Sequence, residues 1–330
     1  MKNKYSFKFG VIVLSLVLIA CSGGSADAGC PEIDGREINV VATTPMIGEF
    51  VSNVGGDNIN LTVLMPPEAN PHTYEPAPQD AGTIADADLV FYTGLMYEPA
   101  PLVELLENSV CGSEALAEVG ESVFPIEFKE GGHDDHGEKG HDDHDEEGHE
   151  GHGHGAYDPH FWFDPNRVVY ASEFIESKLI ELDPSNAASY QEAGDAYATE
   201  LSSLTGQVSQ LIGSIPSQNR KLITTHESLG YLEAKFGLEV LSTIIPDLDS
   251  SNEITPAQLV GVIDVIEDNN VKVIFIEAEA PSVYAETIVA ETGIKAVEGL
   301  WVETLKPGQT YPEFLIDAVE LIVENLSNSD

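Results

Sequence analysis

The chain has 330 residues and a formal charge of −43 at pH 7, from 57 acids against 14 lysines and arginines. So acidic a surface is repelled by phosphate backbones and anionic headgroups, which excludes nucleic acid and direct headgroup binding and leaves a cation as a fitting cargo. Solubility or salt tolerance accounts for most of these carboxylates, so charge by itself decides little.

Residues 1–20 read as a secretory signal peptide. Lys2, Lys4 and Lys8 precede the apolar run from Val11 to Ala20, which is too short to span a bilayer and has the charge order of an export signal. The run ends Leu18-Ile19-Ala20-Cys21, which resembles a lipobox. Cleavage is expected to leave Cys21 as an acylated N-terminus, with residues 21–36 as a tether that opens on the flexible Ser22-Gly23-Gly24-Ser25. The competing reading is an ordinary signal peptide that contains a cysteine. Losing three lysines and no acid takes the mature chain from −43 to −46. No later segment is long and apolar enough to predict a transmembrane helix. The remaining ~310 residues suit two domains. An extracytoplasmic location, anchored to the cell membrane and facing periplasm or outer surface, is the expectation. Cys30 and Cys111, the other two cysteines, are compatible with one disulfide in such a compartment or with two buried free thiols.

From Glu37 onward, short apolar strands alternate with amphipathic helices. Ile38–Ala42, Asn60–Leu64 and Asp88–Tyr92 read as strands of an N-terminal lobe over 37–182. Lys221–Thr225, Leu238–Ser242, Lys272–Ile276 and Gly293–Val297 read as strands of a C-terminal lobe over 215–330. Helices are predicted between them at about Ser228–Phe236, Pro256–Asn269 and Pro281–Thr292. This alternation predicts an α/β fold in which each lobe has a mainly parallel sheet flanked by helices. Between the lobes, residues 183–214 predict one long rigid helix. Asp183 is its N-cap, Pro184 takes the first helical position, and Gly213 and Pro216 stop it. Roughly thirty residues make a rod of about 45 Å. The segment 131–155 is almost wholly His, Asp, Glu and Gly; with nothing apolar to bury, it reads as a disordered loop.

Three histidines stand outside that segment. His72 lies in Asn70-Pro71-His72-Thr73-Tyr74-Glu75-Pro76, after the second strand. His160 lies in Asp158-Pro159-His160-Phe161-Trp162-Phe163-Asp164-Pro165, before a helix capped by Asp164. His226 follows Thr224-Thr225 at the carboxyl end of a strand. Ligands of open α/β sheets bind outside the carboxyl ends of strands, so His72 and His226 are expected to face one another across a cleft. A lone histidine in such a setting is more often structural. Three together, all at strand ends or helix starts, form a nitrogen donor set that suits Zn²⁺.

These segments carry a resemblance. The His-x-x-Glu-Pro turn at His72, the Asp-Pro-His-x-Trp-x-Asp-Pro segment around His160 and the Thr-His-x-x-x-Gly-Tyr segment around His226, together with a His/Asp-rich loop, make the chain similar to the zinc/manganese class of solute-binding proteins of ABC transporters, the ZnuA/TroA-like family. The resemblance runs from about Ile38 to the C-terminus. It implies two α/β lobes joined by a backbone helix, a metal held between them, and delivery to a membrane permease by a monomeric binding protein that is not an enzyme. It also implies a fourth ligand, commonly Asp, from a late loop. Here Glu303, in Leu300-Trp301-Val302-Glu303-Thr304-Leu305, falls at that place, coordinating directly or standing back behind a water. Glu277, Glu279 and Glu298 lack the flanking residues of that loop. Manganese-type members usually place a carboxylate at the position of His226, so histidine there favours Zn²⁺ as the transported ligand.

His133, His136, His141, His144, His149, His152 and His154 of the acidic loop read as a weak multivalent scavenger, dispensable for high-affinity binding; an incidentally metal-binding solvated loop is the plainer alternative. Other rivals are a manganese-binding member, a surface adhesin or metal buffer, and a zinc hydrolase. No His-Glu-x-x-His stretch is present, and Glu227 is a lone candidate base. The stiff helix is expected to limit hinge closure to local movement of the loops carrying Glu303 and His226, and acid is expected to weaken binding.

Overall fold

The computed structural model describes residues 30, 33, 35–128, 157–280 and 282–327. The signal segment, Cys21 and the seven histidines between 133 and 154 lie outside the described residues.

Two four-stranded sheets, each wholly parallel, form the frame. The first has the order β2-β1-β3-β4, with β1 Ile38–Ala42, β2 Ile59–Val63, β3 Leu89–Tyr92 and β4 Leu116–Glu118. Helices α1 Pro45–Gly55, α2 Pro78–Ala85 and α3 Ala100–Ser109 connect them. Central β1 and β3 are rich in β-branched and aromatic residues and almost entirely buried, as strands covered on both faces must be. Thr44 caps α1 by accepting the Ile47 N–H at 3.2 Å, with Pro45 at the first helical position. The second sheet has the order β6-β5-β7-β8, with β5 Lys221–His226, β6 Glu239–Ile245, β7 Val273–Glu277 and β8 Lys295–Leu300. Among its helices, α7 Pro256–Asn269 starts on a Thr255–Gln258 capping box. Of the other helices, α4 spans Pro165–Leu182, α5 Ala187–Gly213, α6 Gly230–Phe236, α8 Ala285–Thr292 and α9 Tyr311–Ser327. Among the described residues no helix is long and apolar enough to cross a membrane.

The long helix begins later than the sequence suggests. Residues Pro184–Asn186 form a 3₁₀ turn, and α5 starts at Ala187. Asp183 does not cap it through backbone N–H groups. Its carboxylate instead accepts from Ser185 Oγ, Asn186 Nδ2 and Tyr190 OH at 2.5, 2.7 and 2.9 Å. The 27 residues of α5 make a rod of about 40 Å, which packs on α1 and α4 beside the first sheet and on α6 and α9 beside the second. α8 likewise starts at Ala285 rather than near Pro281. The three-residue β4 has no counterpart in the sequence reading: Leu116-Ala117-Glu118 is too short to show a period.

One hydrophobic core runs through both halves, from Ile38 and Phe50 through Trp162, Tyr197 and Leu201 to Phe275, Phe314 and Leu326. Cys30 is bonded to Cys111, just past α3, and Arg36 pairs with both oxygens of Asp88 at 2.6 Å. The segment ahead of β1 is therefore pinned to the first sheet at two points.

Candidate metal centre

Four separate stretches of chain meet between the sheets. His72 sits in the 3₁₀ turn Pro71–Thr73 after β2. Asn70 Oδ1 accepts the His72 N–H at 2.9 Å, while Asn70 Nδ2 donates to Ser250 in the loop after β6. His160 precedes the turn Phe161–Phe163, and Asp158 Oδ1 lies 2.8 Å from both its backbone N–H and its Nδ1. His226 is the last residue of β5; Glu277, at the end of neighbouring β7, accepts its N–H at 3.2 Å and faces its Nδ1 at 2.5 Å. Glu303 lies in the connection between β8 and α9. A carboxylate at Nδ1 draws the proton to that nitrogen and leaves Nε2 of His160 and His226 as the bare donor.

Those donors converge. Glu303 Oε1 lies 3.1 Å from His72 Nε2 and 2.8 Å from His226 Nε2, and Oε2 lies 3.4 Å from His160 Nε2. The ligand atoms of all four residues fall within 4.8 Å of one another, and among the described residues this is the one group of His, Cys, Asp and Glu so arranged. Donors at about 2.0–2.1 Å from a tetrahedral zinc ion stand roughly 3.3 Å apart, so the carboxylate-to-imidazole spacings already fit one ion. The side chains of His160, His226 and Glu303 are wholly buried and that of His72 is 4 % exposed. Despite their closeness to Glu303, Nε2 of His160 and Nε2 of His226 have no hydrogen bond of acceptable angle. Buried nitrogens of this kind are costly to leave unmatched, and a cation at the shared focus would engage both.

The electrostatics fit a cation as well. Burial works against ionising the Glu303 carboxyl, but the three imidazoles outweigh it and hold Glu303 well below the usual carboxylate range. Burial lowers the basicity of His160, yet Glu303 and the hydrogen-bonded Asp158 overcome it and push the imidazole up to about 9. His226 is raised for the same kind of reason, by Glu277 and Glu303 against its burial.

Supporting residues were harder to foresee. Tyr97, fully buried, donates to Glu303 Oε2 at 2.9 Å and lies within 3.0 Å of its carbonyl oxygen. Trp162 Nε1 donates to Val302 O at 2.8 Å, and Tyr311 OH donates to Trp162 O. Glu277 and Glu279 stand behind the ligands: Glu277 beneath His226, Glu279 against the backbone of the Glu303 loop. Glu298 is exposed on edge strand β8. Glu227 is engaged by the Thr243 hydroxyl, and burial, its largest influence, pushes it up to about 7. Glu277, the last residue of β7, and Glu279, two positions beyond it, carry no local pattern that marks them as supports of the site.

A family model described as "Zinc-uptake complex component A periplasmic" matches residues 40–325. The chain belongs to this family. The chain is 30% identical to the "High-affinity zinc uptake system protein ZnuA" of Bacillus subtilis over 336 residues, covering 99% of each. It is 25% identical to the "Manganese-binding lipoprotein MntA" of Halalkalibacterium halodurans, over 98% of this chain and 99% of that one. Among solved structures, the periplasmic zinc-binding protein TroA of Treponema pallidum superposes with a TM-score of 0.75 at 22% identity, over 89% of this chain and all of TroA. Fe(III)-bound YtgA of Chlamydia trachomatis does so at 0.71 and 24%, over 88% and 98%. At such identities the structures show the fold, and the expected two-lobe α/β architecture is the one they share. As a member of the zinc-uptake family, the chain is a substrate-binding protein of a metal ABC transporter, working with a membrane permease and not an enzyme.

Proposed function

We propose that this chain captures Zn²⁺ outside the cytoplasm with His72, His160, His226 and Glu303 and hands it to the permease of its transporter, tethered to the membrane through an acylated Cys21. The observation that carries the reading is the buried meeting of three imidazole nitrogens and one carboxylate, two of the nitrogens lacking any hydrogen bond. Three nitrogens and one oxygen form a zinc-like set; one acid in place of a histidine, giving two nitrogens and two carboxylates, would suit Mn²⁺ better. Manganese is the second reading, favoured by the manganese names of several relatives. Three histidines and one carboxylate supply four ligands to one ion, a closed set in keeping with capture rather than hydrolysis.

The division into lobes at 37–182 and 215–330, with 183–214 between them, belongs to the same proposal, as does a scavenging role for the histidines of 131–155. Protein purified without chelator should carry one zinc per chain. In competition with a chromophoric chelator, zinc should bind far more tightly than manganese, and His72→Ala should lose most of that affinity. Manganese binding as tightly as zinc would overturn the metal assignment. Deleting 131–155 should leave the tight site intact.

A further inference from the structure

Val302, Glu303 and Thr304 are buried in a connection that belongs to neither helix nor strand. Buried backbone N–H groups need acceptors, and a loop has no ladder to supply them. All three N–H groups turn to one side chain. Glu279 Oε1 accepts from Val302, Glu303 and Thr304 at 3.1, 3.0 and 3.3 Å, and its Oε2 lies 3.4 Å from the Val302 N–H. Successive N–H groups converging on one point make an anion-binding nest, here filled by a carboxylate of the same chain.

The origin of that carboxylate matters. Glu277 closes β7 and holds His226 through Nδ1 and the backbone N–H. The Ala278 N–H still donates to Leu300 O at 2.8 Å, so the chain continues alongside β8 for another residue. Glu279 follows two positions beyond Glu277, in the bend where the chain leaves the strand. One strand end thus supports both ligands of the second sheet, one through its imidazole and the other through its main chain. The loop's carbonyls are held from the opposite side, by Tyr97 and Trp162.

We infer that Glu279 is a positioning residue for the metal site, setting the place of Glu303 by binding the backbone N–H groups of residues 302–304, so that the Glu277-x-Glu279 pair fixes His226 and Glu303 as one unit. This rests on the ligand set proposed above. Without Glu279 three buried N–H groups lose their acceptor, and the loop must shift to find others, carrying Glu303 away from the focus of the imidazoles.

The test uses the full-length mature chain, with zinc competition and the visible spectrum of the Co²⁺-loaded protein as readouts. Glu279→Ala is expected to weaken zinc binding about 10–100-fold, the range for loss of a group that orients a ligand. Its Co²⁺ bands should move toward those of Glu303→Ala. Glu279→Gln, which keeps a carbonyl acceptor but not the charge, should show a smaller loss in the same direction. A merely structural role is separated by the double variant: if Glu279 acts through Glu303, Glu279→Ala costs almost nothing further in a Glu303→Ala background. Additive losses, or Glu279 variants with wild-type affinity and spectrum, overturn the inference. Should Glu279→Ala fail to fold, Glu279→Gln decides, a wild-type cobalt spectrum being the adverse result. Wild type and His72→Ala run in the same titration: if they do not differ, the ligand set itself is wrong, whereas if they differ and the Glu279 variants match wild type, only the role of Glu279 fails.

Discussion

At the residue scale, the choice of metal rests on His226 together with the carboxylate beneath it. Glu277 is buried and lies 2.5 Å from His226 Nδ1, so the pocket is built for an imidazole that donates a proton downward. A carboxylate at 226 would face Glu277 directly, and two buried like charges so close resist ionising together. His226→Asp alone is therefore expected to lose zinc by more than about 100-fold, beyond the cost of losing a supporting group, and to gain little manganese. Adding Glu277→Gln should recover manganese binding. Isothermal titration of the single and double variants with both metals checks this, and strong manganese binding by the single variant would count against it. Protons give a second expectation. With His160 pushed up to about 9 in the metal-free site, zinc arriving at pH 7 must displace a proton from it. Affinity should rise with pH toward 9, and titrations in buffers of different ionisation enthalpy should report at least one proton released per zinc. A buffer-independent enthalpy would refute it. The three histidines were legible because imidazoles outside the acidic loop are so few and each sits beside a strand end or helix start. Tyr97 and Glu277 were not, because each is defined by what it touches, 206 and 51 residues away along the chain, and no local pattern records that; Asp158, two residues from His160, stands within the same motif.

At the element scale, seven of the eight strands were legible as short apolar runs, and α7 as an amphipathic stretch between two of them. The start of α5 was not, since Asp183-Pro184 reads equally as a helix cap or as a 3₁₀ turn leading into one. The structure resolves this through side chains: the Asp183 carboxylate gathers Ser185, Asn186 and the buried Tyr190 hydroxyl. Burial alone would raise its pKa, but these hydrogen bonds outweigh burial and lower it. A carboxyl with a depressed folded-state pKa adds stability above its unfolded value of about 3.9 and loses it as pH falls through the folded value. Asp183→Ala should therefore cost about 2–3 kcal/mol near pH 7 in urea unfolding, with the gap to wild type shrinking below about pH 4. A gap independent of pH would show that packing rather than the charge is at work. The Cys30–Cys111 bond closes a separation of 81 residues that contains β1 through α3. Replacing both cysteines by serine should cost about 2–4 kcal/mol in the same measurement and leave zinc affinity unchanged, since neither cysteine touches a ligand.

For the whole molecule, the question is how a site with its donors so deeply buried takes in and gives up an ion. A freely hinged pair of lobes would open by rotation, and the contacts speak against that. The core is continuous from β1 to α9, α5 packs on helices beside both sheets, and buried hydrogen bonds from Tyr97, Trp162 and Tyr311 span the seam. Opening by rotation would break all of these at once, each buried polar group costing ~1–3 kcal/mol when left unpaired. Movement is cheaper where structure is irregular: the connection 301–310 has no ladder of its own and hangs on Glu279, Tyr97 and Trp162. Metal entry is thus expected to be a local event in the Glu303 loop. Spin labels placed by Ser52→Cys on α1 and Glu291→Cys on α8, both at exposed positions, should keep their separation to within about 2 Å on adding zinc. Amide exchange over 301–310 should slow markedly in the same sample, because the ion ties Glu303 to three imidazoles and removes the openings through which those amides exchange. A change in label separation several times larger, with exchange in the loop unaltered, would place the motion in the lobes rather than in the loop.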